Sequence, residues 1–135
     1  MNTLNDVVII EIPNVHEERG KLSVIEKDIF PFEMKRVYYL YDVPSDAYRG
    51  GHAHKKQHSL VLALSGSFNV IVDDGNSRKR IMLNKPHIGL YIPTGIWREI
   101  ENFSSGSVCL VLASTEYEEE EYIRDYNEFK LSKTT

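Results

Sequence analysis

Two histidines one residue apart, His52 and His54, lie in the stretch Arg49-Gly50-Gly51-His52-Ala53-His54-Lys55-Lys56. Alternate residues of a strand face the same side, so both imidazoles are expected to point together, with Ala53 opposite. Paired imidazoles suit three roles. They can ligate a metal, move protons near neutral pH, or simply pack. Arg98, next to the aromatic Trp97, follows the turn Pro93-Thr94-Gly95, and Arg36 stands at the head of the aromatic run Tyr38-Tyr39-Leu40-Tyr41. Aromatic faces of this kind offer a stacking surface for a base or a sugar ring, and arginine forks suit phosphate oxygens.

These residues need elements to position them, and the chain reads mainly as short strands between turn signals. Expected strands are Val7–Ile12, Leu22–Glu26, Arg36–Tyr41, Gly51–His54, Leu60–Ser65, Phe68–Asp73, Lys79–Leu83, Gly89–Ile92, Trp97–Glu101 and Val108–Ala113. Asp73-Asp74-Gly75-Asn76 reads as a hairpin turn, because Gly or Asn accepts the positive φ that such turns need. Many short strands at this spacing indicate a β-sandwich or barrel. The tail differs. Thr115 followed by Glu118 has the form of a capping box, and Tyr122, Tyr126 and Phe129 fall on one helical stripe. A C-terminal helix is expected at about 116–130, with Glu118–Glu121 as its solvated first turn. Residues 1–135 are expected to form one domain.

A small barrel has room inside for one ligand, and two motif frames in this chain resemble those of the cupins. In the first, His52-Ala53-His54 is followed by four residues, Ser59, six residues and Gly66; the usual carboxylate position holds Ser59. In the second, Pro93-Thr94-Gly95 leads to Arg98 and then Asn102, with Arg98 where a cupin has its last histidine. The resemblance implies an all-β jelly-roll barrel. The two departures argue against a metal. A neutral hydroxyl replaces the carboxylate, and a guanidinium has no lone pair to donate and repels a divalent cation. Acid–base or substrate-binding roles for His52 and His54 are therefore favoured over a metal site. A histidine can take and return a proton in one turnover, and a fixed arginine can stabilise an oxyanion beside a carbonyl. Together they suit proton abstraction α to a ketone through an enediolate, with no cofactor.

More of the chain is similar to one family, the WxcM-like sugar 3,4-ketoisomerases. The matching pieces include Arg19-Gly20, Ile29-Phe30-Pro31-Phe32, Lys35-Arg36-Val37-Tyr38-Tyr39, Arg49-Gly50, His52-Ala53-His54-Lys55, Ser65-Gly66-Ser67, Asp73-Asp74-Gly75, Gly89-Leu90-Tyr91, Phe103-Ser104, Val111-Leu112-Ala113-Ser114 and Tyr122-Ile123-Arg124-Asp125-Tyr126. The resemblance implies isomerisation of a dTDP-4-keto-6-deoxyhexose to the 3-keto sugar in deoxyamino-sugar biosynthesis. It also implies a homodimer with exchanged N-terminal strands. His52 and His54 would be catalytic. Arg19, Arg36, Tyr38, Arg49, Ser59, Trp97 and Arg98 would bind substrate. Arg19 and Arg98 stand where the family varies, and the hypothesis here is that they decide which face of C4 is reprotonated. The competing readings are a non-catalytic sugar-binding cupin, a nucleotide-sugar 3,5-epimerase and a metal-dependent oxygenase.

The bulk numbers fit this picture. A net charge of −4 argues against a general nucleic-acid binder. The single Cys109 allows no intrachain disulfide, and its apolar run suits a buried thiol. The N-terminus has no signal-peptide pattern, and nowhere do ~18 apolar residues run together to span a bilayer. The expected compartment is the cytoplasm.

Overall fold

In the computed structural model the described residues are 1–27 and 31–134. The expected strand in the Ile29-Phe30 region's flank, Leu22–Glu26, is instead shorter and earlier. The elements run β1 (Val8–Glu11), β2 (Asn14–Glu17), β3 (Gly20–Ser23), β4 (Arg36–Tyr41), β5 (Tyr48–His54), β6 (Ser59–Ser65), β7 (Phe68–Asp73), β8 (Arg78–Leu83), β9 (Ile88–Ile92), β10 (Trp97–Glu101), β11 (Val108–Ala113), β12 (Tyr122–Ile123) and helix α1 (Tyr126–Ser132). Ile29 and Phe30 of the family-like segments lie outside the described residues.

Two five-stranded sheets face each other, in the orders β1-β9-β6-β11-β4 and β12-β5-β10-β7-β8, and β2–β3 forms a separate hairpin. The jelly-roll expectation holds. All pairings are antiparallel, so each strand can turn one face inward and the other outward. Strand β4 shows this directly. Arg36, Tyr38 and Leu40 are half-buried, while Val37, Tyr39 and Tyr41 are exposed. Between the sheets lie Val61, Ala63, Cys109 and Val111 against Phe68, Val70, Val72 and Ile100. Burial pushes the Cys109 thiol up to about 12, as an inert core thiol requires. Outside the second sheet, Ala53, Trp97, Ile123 and Phe129 form a further cluster, which docks α1.

Three local expectations need correction. The first is the hairpin β2–β3, where the sequence suggested only one strand at Leu22–Glu26. Asn14 pairs with Ser23 and Glu17 with Gly20, and Gly20 takes a φ of 139° that favours glycine at the turn. The second is the tail. No helix covers 116–125; Glu119–Glu121 is a single 3₁₀ turn, Tyr122–Ile123 pairs with His54 and Ala53, and α1 starts only after Asp125. Asp125 is the N-cap that the capping-box pattern at Thr115 mimicked; its side chain accepts from the Asn127 backbone N–H at 3.1 Å. The third is Glu121, which is buried rather than a solvated part of the helix start. Local propensity loses here because strand pairing with β5 and the backbone hydrogen bonds that Glu121 accepts outweigh it. Among the described residues no helix is long and apolar enough to cross a membrane.

The loop after β6 gives a stability test. Gly66 has φ +68°, and a Cβ there would lie 2.4 Å from Ser104 Oγ and 2.9 Å from Ser107 Cα. Ser104 Oγ already accepts from Ser67 N at 2.8 Å, so it is not free to swing away. Gly66→Ala is expected to cost about 1–3 kcal/mol. A urea midpoint equal to the parent's would show that the loop relaxes instead.

Candidate active site

Strand alternation puts the site inside the sandwich. On β5, His52 and His54 face one side and Ala53 packs into the outer cluster, as the spacing predicted. Arg98 on β10 lies opposite His52 in the register. Trp97, its neighbour, must therefore face the other way. It is buried against Phe129 and Tyr126, and its Nε1 donates to Glu99 Oε2 at 2.7 Å. The expected stacking role of Trp97 in the pocket does not hold in this chain, because β10 turns its indole towards α1.

The two imidazoles meet edge to face, with Nε2 of each 3.1 Å apart. His54 is fully buried, and its Nδ1 contacts Glu121 Oε2. The other carboxylate oxygen of Glu121 accepts from the backbone N–H groups of Lys56 and Gln57, both at 3.0 Å. Tyr122 packs its ring on both histidines, with centroids 5.0 Å from His52 and 4.5 Å from His54. Burial holds the His54 imidazole far below its usual range, and Arg98, His52 and Arg36 add to that. These causes favour the neutral form of His54. Its Nδ1–H donates to Glu121, which leaves the Nε2 lone pair facing His52.

Arg98, Ser59, Gln57 and Arg36 form a polar chain. Ser59 Oγ accepts from Gln57 Nε2 at 3.0 Å and from Arg98 at 3.2 Å. Arg98 also donates to the Ile96 carbonyl at 3.1 Å. Burial lowers Arg98 to about 10, with Tyr38 and Glu121 opposing, so it remains a cation at neutral pH. Gln57 Oε1 in turn accepts from Arg36 at 2.8 Å. Gln57 thus links two residues, Ser59 and Arg36, that the sequence offered separately.

Beside His52 opens a cavity of ≈ 340 Å³. Arg36, Arg49 and Arg124 line it together with Tyr38 and Tyr122, and Leu40, Ile100 and Val111 supply apolar surface. The Arg36 guanidinium sits over the Tyr38 ring at 4.9 Å, and its buried Nε has no hydrogen-bond partner in the structure. Arg124 lies over the Tyr122 ring at 4.3 Å and pairs with Glu119. A pocket with cations, aromatic faces and an imidazole can hold an anionic, ring-bearing molecule and exchange a proton with it. A larger hollow of ≈ 640 Å³ between the N-terminus and α1 is lined by residues such as Asn2, Asp74 and Lys130, with neither histidine nor arginine among them.

Of the expected site residues, the structure gathers His52, His54, Arg36, Tyr38, Arg49, Ser59 and Arg98. Arg19 stays apart, exposed on the β2–β3 turn beside Glu17. Glu121, Gln57, Tyr122 and Arg124 join the site without having been singled out as site residues. For Tyr122 and Arg124 a signal existed in the segment Tyr122-Ile123-Arg124. For Glu121 the run of four glutamates concealed which one turns inward.

A jelly roll in which His52, backed by the buried His54, lines a cationic, aromatic pocket is a cupin-type architecture. The family model described as FdtA, WxcM-like, C-terminal, matches residues 5–134. The chain is 44% identical over 123 residues to the TDP-4-oxo-6-deoxy-α-D-glucose-3,4-oxoisomerase of Aneurinibacillus thermoaerophilus, covering 90% of this chain and 88% of the relative. A crystal structure of a 3,4-ketoisomerase from Helicobacter canadensis superposes with a TM-score of 0.94 at 44% identity, covering 96% of this chain and 98% of that one. QdtA, a sugar 3,4-ketoisomerase from Thermoanaerobacterium thermosaccharolyticum solved with TDP, gives 0.93 at 40% identity, covering 96% of each chain. The chain belongs to the FdtA, WxcM-like family of sugar 3,4-ketoisomerases.

Proposed function

We propose that this protein converts a dTDP-4-keto-6-deoxyhexose to its 3-keto isomer through an enediolate, without a metal or other cofactor. The observation that carries the reading is the placing of His52. It lines the cavity, is backed by the neutral His54, and stands among arginines suited to a diphosphate. A base takes the C3 proton, the electron pair forms the C3–C4 double bond, and negative charge collects on the C4 oxygen. A proton then passes from the C3 hydroxyl to that oxygen, and C4 is protonated as the C3 carbonyl forms. Atoms balance with no oxidant. In this reading His52 exchanges protons with the sugar and His54 acts from behind it. Arg36, Arg49 and Arg124 hold the diphosphate, Tyr38 offers a face to a ring, and Ser59 fixes Arg98.

The homodimer belongs to this proposal. Exposed apolar side chains on the β2–β3 hairpin, Val15 and Leu22, and on edge strand β4, Val37, Tyr39 and Tyr41, offer surface for a second copy. Because β1 already pairs with β9 of its own chain, the exchanged N-terminal element is the β2–β3 hairpin, which joins neither sheet. A hairpin that crosses to the other subunit carries Arg19 with it, which would explain why Arg19 stands away from the pocket here.

The test is incubation of the EDTA-treated protein with dTDP-4-oxo-6-deoxy-glucose in D₂O, followed by NMR. A 3-keto product with deuterium at C4 is expected. Deuterium at C5 would replace this reading with an epimerase, and an unchanged spectrum, with or without added divalent metal, would leave only a binding protein.

A further inference from the structure

We infer that Glu121 is a positioning residue that sets the tautomer of His54 and, through it, the orientation of His52. The inference rests on the isomerase reading of the pocket but adds a residue and a mechanism to it. Glu121 sits on the single turn before β12, and β12 pairs its Tyr122 with His54 itself, so backbone pairing holds the carboxylate in line with the imidazole. The carboxylate is 2% exposed and divides its two oxygens. Oε1 is occupied by the Lys56 and Gln57 N–H groups, and Oε2 faces His54 Nδ1. A carboxylate cannot donate, so the proton on that contact belongs to His54. Its Nε2 is then an acceptor, 3.1 Å from His52 Nε2, and His52 is held with Nε2–H turned to it. As His52 takes a proton from the sugar, the positive charge is shared along the line His52, His54, Glu121. A third group that fixes the tautomer of a base acts in this way in hydrolytic triads.

The two backbone donors make the variant Glu121→Gln decisive. They require an acceptor at Oε1, so the glutamine oxygen must take that place and its NH₂ must face His54. Nδ1 then becomes the acceptor and the proton moves to Nε2, where it confronts His52. The shape is kept and the tautomer is reversed.

The experiment is ¹⁵N NMR of the histidine-labelled, ligand-free protein, together with steady-state kinetics on dTDP-4-oxo-6-deoxy-glucose. The parent is expected to show neutral His54 with Nδ1–H, and the variant Nε2–H. With that switch, kcat should fall by about 10²–10⁴-fold with KM little changed. A variant that keeps the parent's tautomer, or switches it without loss of kcat, overturns the inference. Should the variant fail to fold, the parent decides alone, since His54 protonated on Nε2 would overturn it. A tautomer switch in a protein that turns over no keto sugar in either form supports the Glu121–His54 coupling while rejecting the isomerase reading.

Discussion

His52→Asn and His54→Asn are each expected to lower kcat by about 10²–10⁴-fold, the range for general acid–base groups. The two losses should differ in kind. His52 lines the cavity, so its removal takes away the group that meets the sugar. His54 is fully buried and stands behind His52, against its Nε2, so its removal takes away the partner that receives charge. Asparagine keeps a polar side chain of similar reach but does not titrate near neutral pH. In D₂O, His52→Asn should abolish deuterium entry at C4. His54→Asn should slow entry without abolishing it, because His52 remains to exchange protons. The double variant should lose little more than His52→Asn alone, since groups that act as one unit are not additive. The check is single-turnover NMR on all three proteins. Full additivity, or near-parent rates in either single variant, would remove the relay from the mechanism.

The strands and the inward histidines were legible because they follow from a period of two. Phe68, Val70 and Val72 on β7 and His52 and His54 on β5 need no tertiary information to share a face. Arg98 was legible through its frame with Pro93 and Gly95, and its opposition to His52 emerges only from the β5–β10 register. Trp97 shows the limit. The same alternation that turns Arg98 inward turns its neighbour outward, so the two could not both face one pocket. Glu121 fails for another reason. Glutamate favours helix starts and water, and nothing in Glu118–Glu121 marks one member for burial. Only the pairing of Tyr122 with His54 selects it. Arg19 marks a third limit, since it stands exposed on the β2–β3 turn beside Glu17, away from the pocket, and no spacing in the sequence says so.

Arg98→Met should give the other large effect, a fall in kcat of about 10²–10³-fold, comparable to removal of one oxyanion-stabilising group. Arg98 is 5% exposed, stands opposite His52 in the strand register, and is bonded to Ser59 and the Ile96 carbonyl. A fixed cation there opposes the charge that develops on the enediolate, and it cannot reorient away from it. Methionine has similar length and no charge, and exchanging a buried ion for an apolar side chain is often tolerated by the fold. Arg98→Lys keeps the cation but not the guanidinium fork, so it should retain part of the rate that Arg98→Met loses. The ring couplings of the product from the same incubations report the C4 configuration. A change in Arg98→Met would place Arg98 among the groups that choose the face of protonation. An unaltered kcat would mean that this buried cation serves only to hold Ser59 and the end of β10.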